Sequence, residues 1–225
     1  MSEHFKELKK RIIKCLIFFS IIFFILFILS DTSYDIISIP LLKQLPQGGN
    51  IIATKMTTPF FVPLKLCFFL SILVSIPFFF YHFWQFIVPG MYVQEKKVIL
   101  PLMLSSILFY YIGILFSFYI ICPIAISFFS RCTPKSVLFM ADISNYLDFI
   151  ITTCIFTGFI FQIPTLTKFI IKFNIIQKDA FKKKRKYVIL MAFIVGMLLA
   201  PPDVISQTLL ALPMIFLFEI GLLIS

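Results

Sequence analysis

The sequence is poor in the residues that build soluble catalysts. Histidine occurs only at His4 and His82, tryptophan once, and charged side chains are 13% of 225 residues. Two histidines are too sparse for a metal cluster. The seven glycines begin no GxxxxGK[ST] phosphate loop. No Ser-His-Asp set is visible, although spacing alone does not exclude a triad. The five cysteines, Cys15, Cys67, Cys122, Cys132 and Cys154, are odd in number and show no CxxC spacing. They argue against a disulfide or zinc framework and read as small apolar packing residues. No alanine precedes Ala53. The basic N-terminus and the apolar run 15–30 therefore lack the small-residue cleavage site of a secretory signal and read as an uncleaved first span. No cofactor is implied, and any work must draw on the membrane potential or on partners.

What the chain does have is apolar mass. Hydrophobic residues make up 60% and aromatics 18%, with 31 Phe, and mean hydropathy is +1.05. A soluble domain is nearer half apolar and a quarter charged, so the sequence predicts an integral membrane protein whose solvent is lipid. Disorder is excluded because it needs low hydrophobicity. At about 20 residues per helix there is room for roughly six spans. Read along the chain they fall near 12–29, 66–88, 98–121, 149–171, 187–200 and 205–223. An amphipathic stretch precedes the first, with Phe5, Leu8, Ile12 and Ile13 on one face. The loops 31–63 and 122–147 are the longest; Pro40, Pro46, Gly48, Gly49, Pro59 and Pro63 predict an irregular first loop with short helical pieces. Span five, at 14 residues, covers only about 21 Å and either re-enters or thins the bilayer. Pro77, Pro101, Pro164 and Pro213 lie inside spans. Each frees a backbone carbonyl that needs another partner in lipid, and kinked helices favour a cupped bundle.

Charge fixes an expected orientation. The net charge of +10 comes from 20 basic and 10 acidic residues. With the N-terminus in the cytoplasm, segments 6–14, 96–97 and 168–186 place fifteen of the 20 basic residues inside, against Lys43, Lys55, Lys65, Arg131 and Lys135 outside. That asymmetry predicts N-in, C-in and an even number of spans. No basic stripe is interleaved with exposed aromatics, so nucleic acid is not an expected partner.

A few polar residues need a reason. Glu95, on the cytoplasmic turn beside Lys96 and Lys97, is either a solvated charge or a carboxylate that receives a cationic client. Glu7 either pairs locally with Lys10 or Arg11, three and four residues on, or does the same. Two carboxylates at one mouth would suit arginine, whose planar fork binds carboxylate bidentately where lysine does not. Within apolar spans lie Gln85, Gln162, Gln207 and Glu219. An ionisable group at membrane depth suggests function, but Glu219 is near enough to the cytoplasmic end to meet water instead. Asp203 has a simple role as the cap of span six.

Several segments resemble one family in order and at matching spacings. His4-Phe5-Lys6-Glu7-Leu8 with Arg11 resembles its HLxELRxR motif, and Pro59-Phe60 with Lys65 its PF-x-x-x-x-K stretch. Phe86 through Glu95, with Pro89-Gly90, is similar to FxxPGLxxxE, and Phe161-Gln162-Ile163-Pro164 to F-E-x-P. Met197 through Pro213, with Pro201-Pro202-Asp203 and Ser206-Gln207, resembles ML-x-x-PPD-x-x-SQ-x-x-L-A-x-P. The family is TatC, the core receptor of the twin-arginine translocase, and the resemblance covers almost the whole chain.

The resemblance implies an all-α polytopic membrane protein, residues 1–225 forming a single TatC-like domain of six helices in a cupped bundle. It implies binding of twin-arginine signal peptides at the cytoplasmic face of a bacterial plasma membrane, and export of folded proteins driven by the proton motive force. It implies no enzyme activity. Glu7 and Glu95 match the positions that bind the arginine pair, and Phe86 a supporting aromatic. Met197 and Gln207 match positions near contacts with single-span TatA-type and TatB-type partners, and self-association is expected. Pro40 matches a position in the first periplasmic loop, and Asp203 belongs to the PPD motif. The sequence departs from the pattern at Lys9, an arginine in the family, and at Thr58, a glutamate there. Gln162 stands where the family has a mid-membrane glutamate, which leaves any proton-linked role at that position open. The chain ends at Ser225 without the family's charged tail. Six helices of about 10 Å diameter cannot enclose a conduit for a folded domain, whose radius of gyration is near 13 Å at 100 residues, so partners must supply the passage. Two other readings are an ion-coupled solute transporter, for which internal repeats and midplane charges would be expected, and an assembly subunit indifferent to signal peptides.

Overall fold

The computed structural model describes residues 2–28, 51–87, 93–132, 141–173, 177–199 and 204–224. They are almost entirely helical. In chain order the elements are α1 (Ser2–Ile28), β1 (Ile51–Ile52), α2 (Thr58–Ile87), α3 (Val93–Phe116), a π-helical turn at Ser117–Ile121, α4 (Cys122–Cys132), β2 (Ala141–Asp142), α5 (Ile143–Ile160), α6 (Ile163–Lys172), α7 (Lys178–Lys183), α8 (Arg185–Leu199) and α9 (Val204–Ile224). Among the described residues, four helical segments are long and apolar enough to cross a membrane: Phe5–Ile28, Thr58–Ile87, Ile99–Phe128 and Ile143–Lys172. Residues Leu210–Leu223 of α9 form a shorter apolar helix, and α8 is 15 residues long. The chain is a multi-pass membrane protein.

Four expectations about boundaries change. The amphipathic N-terminal stretch and span one are one continuous helix of 27 residues. Span two begins at Thr58, eight residues earlier than the apolar run suggests. Pro59 sits in the first turn of α2, where a missing N–H costs nothing, and Pro63 is carried inside the helix. Span three does not end at Ile121. A π turn bonds the Cys122 N–H to the Ser117 carbonyl, and helix continues to Cys132. The loop expected from residue 122 is therefore helical in its first part, and Pro123, which lacks an N–H, sits in the first turn of α4. Span four is broken rather than kinked: Phe161 and Gln162 form a turn between α5 and α6, with Gln162 N–H donating to Phe159 O at 3.0 Å. Pro164 then lies in the first turn of α6, so it removes no bond from a helix interior.

The chain divides into two compact units, residues 1–103 with 126–151 and residues 104–125 with 152–225. In the first, α1 packs along α2 through rings. Phe18 stacks on Phe78 at 4.4 Å, Phe19 meets Phe68 edge-on at 5.2 Å, and Cys67 Sγ donates to Leu26 O at 3.4 Å. Offset and edge-on rings add specificity where apolar burial alone gives none in lipid. The two-residue strands β1 and β2 pair in parallel, Ile51 with Ala141 and Ile52 with Asp142, in a place expected to be irregular. Asp142 also accepts from Thr54 Oγ1 at 3.1 Å.

In the second unit, α9 packs against α6 and α8 around Ile160, Phe161, Ala192, Ala211, Met214 and Leu217. Small residues let backbones close up, as helix association in membranes requires. A Cβ on Gly113 would lie 2.9 Å from both Phe161 Cβ and the Thr157 carbonyl, and one on Gly158 would lie 2.8 Å from the Tyr110 ring. Helices α3 and α5 thus interlock twice, α3 supplying Gly113 and the Tyr110 ring, α5 supplying Gly158 and, just past its end, Phe161. Cys15, Cys67, Cys122 and Cys154 are free and buried, as packing residues should be.

Candidate functional site

The site is built on the first turns of α1 and the last turn of α2. Glu7 and Arg11 are four residues apart on α1, so their side chains share a face. Arg11 Nη2 and Nε both donate to Glu7 Oε1, at 2.6 and 3.1 Å. Its third nitrogen, Nη1, donates to Gln85 Oε1 on α2 at 2.8 Å. One guanidinium therefore ties the two helices together. The Arg11 side chain is 18% exposed and the Glu7 side chain 37%, so the carboxylate remains open to solvent on one side. Both bonds from Arg11 land on Oε1, and among the described residues Oε2 keeps its lone pairs for another donor.

His82 lies one helical turn before Gln85. Its ring meets Phe78 edge-on at 4.4 Å, and Arg11 and Lys14 are its electrostatic neighbours. Its Nδ1 is buried without a hydrogen bond among the described residues. Lys9 is exposed and Phe86 is half-buried. Glu95 is in the first turn of α3, but its side chain lies outside the described residues. Pro40 and Asp203 lie outside them altogether. The local pairing weighed for Glu7 is present, with Arg11 rather than Lys10 as partner. The reach of Arg11 to Gln85 was not foreseen. Its only sequence signal is a lone amide in the aromatic run at the end of span two.

The remaining residues belong to the second unit. Gln162 is 7% exposed, and its Nε2 donates to the Ser106 carbonyl at 2.8 Å. An ionised carboxylate there would face that carbonyl as a second acceptor. Gln207 Nε2 donates to Phe193 O at 3.0 Å, close to where Gly196 lets α8 approach α9. Met197 is 67% exposed on α8. Glu219 is bound by Arg185 Nη2 at 2.8 Å, so it meets a cation rather than water alone. In the first unit, Lys65, picked out by its motif, pairs with Asp148 at 2.7 Å. Among the described residues no group of three His, Cys, Asp or Glu side chains can hold a metal ion.

Comparison with known proteins agrees with this architecture. Residues 3–213 match the family described as Sec-independent protein translocase protein (TatC). The chain is 42% identical over its whole length to the Sec-independent protein translocase protein TatC of Escherichia coli (strain K12), of which it covers 87%. It is 41% identical to that of Haemophilus influenzae, covering 88%, and 31% identical to that of Aquifex aeolicus, covering 94%. Two solved structures share the fold. The crystal structure of the twin-arginine translocase receptor TatC in DDM has a TM-score of 0.85 at 30% identity, covering 98% of each chain. A second, of the same receptor, has a TM-score of 0.84 and covers 98% of this chain and 96% of that one. A helical membrane fold shared end to end, with this identity over the full length, means that the chain belongs to the TatC family of Sec-independent protein translocase proteins.

Proposed function

We propose that this translocase component is the receptor of a twin-arginine export complex in a bacterial plasma membrane. In this reading residues 1–225 act as one domain of six spans with both termini in the cytoplasm, and Glu7 and Glu95 bind the arginine pair of a signal peptide. Lys9 and Phe86 border the site. Met197 and Gln207 face the single-span TatA-type and TatB-type partners, Pro40 and Asp203 shape the far-side loops, and Gln162 holds the broken fourth span. Copies of the chain self-associate, and the proton motive force drives passage of folded cargo through a path that partners complete.

The observation that carries the reading is the state of Glu7. Its carboxylate already holds a guanidinium through two nitrogens while remaining part-exposed. A client arginine would meet the chemistry that Arg11 meets now, and Arg11 would keep its bond to Gln85. Arginine would be preferred to lysine because only a planar fork makes two parallel bonds to one carboxylate. The solved relatives are twin-arginine translocase receptors, which supports the same client.

The test is site-specific photocrosslinking from positions 86 and 95 to a twin-arginine precursor in membranes. Strong crosslinks are expected, lost when both client arginines become lysine. Crosslinks from position 86 should also be lost on Glu95→Ala, with expression unchanged. Equal crosslinking to the twin-lysine precursor would sink the site assignment.

A further inference from the structure

The end of α7 and the start of α8 carry the densest charge of the chain, Lys182-Lys183-Lys184-Arg185-Lys186, and all five are exposed. Two of the five are matched. Lys182 is 3.6 Å from Asp179, and Arg185 is 2.8 Å from Glu219. Lys183, Lys184 and Lys186 have no ion pair among the described residues. Three uncompensated cations within four positions repel one another unless an anion lies between them.

The block is held in place. The Lys184 N–H donates to Ala180 O at 3.2 Å and Phe181 O at 3.0 Å, and the Tyr187 N–H to Lys184 O at 2.9 Å. Helices α7 and α8 are thus joined by a single tight residue. Phe181 contacts Phe218 of α9 at 6.1 Å, and the Arg185–Glu219 pair fastens the start of α8 to the same helix. The backbone has little freedom left to lose on binding.

The helix immediately beyond the block is apolar and bare. Tyr187, Leu190, Met191 and Ile194 of α8 are each at least 42% exposed. Lys186 Nζ sits 5.2 Å from the Tyr187 ring centroid, an amphipathic pairing of the kind that marks a membrane–water boundary. From Tyr187 to Leu199 the helix rises only about 20 Å, well short of a hydrocarbon core of about 30 Å. A short span draws the bilayer surface toward its ends. Cationic heads then lie at headgroup level, with exposed side chains against the acyl layer directly beyond them.

We infer that Lys183, Lys184 and Lys186 form a binding site for the headgroups of anionic phospholipids, with the exposed face of α8 receiving their acyl chains. The site shares no residue with the Glu7 region, nor with Met197 and Gln207, so its failure or success leaves the receptor reading untouched. A lipid phosphodiester is favoured over a free phosphate because the apolar half of the surface is as well formed as the basic half.

The test uses the full-length purified chain in detergent, titrated with phosphatidylglycerol or phosphatidylcholine and read by native mass spectrometry. At roughly a factor of five per lysine near a membrane surface, an anionic preference of at least about tenfold is expected. The K183Q/K184Q/K186Q variant should lose that preference, and K183R/K184R/K186R should keep it. An unaltered circular dichroism spectrum of the glutamine variant separates lost binding from lost folding. If that spectrum changes, the single variants K183Q and K186Q carry the test, each weakening phosphatidylglycerol binding several-fold. Equal affinity for the two lipids, or an undiminished preference in folded glutamine variants, overturns the inference. Competition by equimolar inorganic phosphate overturns it too, since the site would then be one for small anions.

Discussion

The Arg11 guanidinium lies 2.6 Å from Glu7 Oε1 and uses its remaining nitrogen to hold Gln85 at 2.8 Å. The residue that the family resemblance marks for a client arginine is thus paired with an arginine of its own chain. The pairing has a consequence for energetics. A part-exposed i,i+4 pair contributes little to stability, about 0.5 kcal/mol, whereas in the reading proposed above hydrogen bonds to the same carboxylate that a bound client shields from water contribute about 1.5–3 kcal/mol each.

Glu7→Gln should therefore separate folding from binding. The melting temperature of the purified protein is expected to change by no more than a few degrees, at about 2–4 °C per kcal/mol for a chain of this size. Affinity for a twin-arginine signal peptide should fall by at least about tenfold, from losing a bidentate charged acceptor. Thermal unfolding and a fluorescence titration on the same preparation check both halves. A large loss of stability with unaltered affinity would make Glu7 a structural residue.

Gln162 is buried with its amide on the Ser106 carbonyl, beside the turn that splits α5 from α6. Gln162→Leu removes that bond to α3, while the Ser106 carbonyl keeps its place in the α3 backbone ladder. The expected cost is about 0.5–1.5 kcal/mol, the net value of one hydrogen bond, a fall of a few degrees in melting temperature. Gln162→Asn, too short to span the 2.8 Å contact without movement, should cost as much. An unchanged melting curve for both would mean that the bond contributes nothing to holding the broken span.

The helices were legible from hydrophobic runs because lipid leaves the backbone few other choices. Their ends were less so, for identifiable reasons. Pro59 reads as a breaker in a loop but is a favoured first-turn residue. The loop placed at residues 122–147 begins too early, because the π turn at Ser117–Ile121 carries the helix on to Cys132, and no side-chain pattern announces that turn. Pro164 reads as a kink, but the break begins earlier, at Phe161, whose side chain fills the notch at Gly113, a long-range fit no local window contains. At the site, the motif pointed to Glu7. The tie from Arg11 to Gln85 spans 74 positions and depends on how α1 lies on α2.

Gly113→Ala tests that notch. Its new Cβ would meet the Thr157 carbonyl and the Phe161 side chain at 2.9 Å, closer than real contacts allow, and the first of these is backbone that cannot rotate away. Overpacking of this kind costs about 1–3 kcal/mol. Gly221→Ala, whose Cβ would lie 2.9 Å from Pro164 Cα, should behave alike against α6. Thermal unfolding in detergent measures both, and wild-type melting of Gly113→Ala would show that α3 and α5 are not in such close contact.

The Lys65–Asp148 pair offers a test with rescue built in. Both Asp148 oxygens accept from Lys65 Nζ, at 2.7 and 2.8 Å, linking α2 to α5 within one unit. The side chains are 36% and 52% exposed, so solvent screens the pair and its contribution is at most about 1 kcal/mol. Lys65→Asp places two carboxylates face to face and should destabilise by more than removal of the charge in Lys65→Met. Adding Asp148→Lys to Lys65→Asp restores opposite signs with the polarity exchanged, and the double variant should recover most of the lost melting temperature. The cycle of single and double variants isolates the pair from everything else either residue touches. A swap that melts no higher than Lys65→Asp alone would show that the two side chains do not meet.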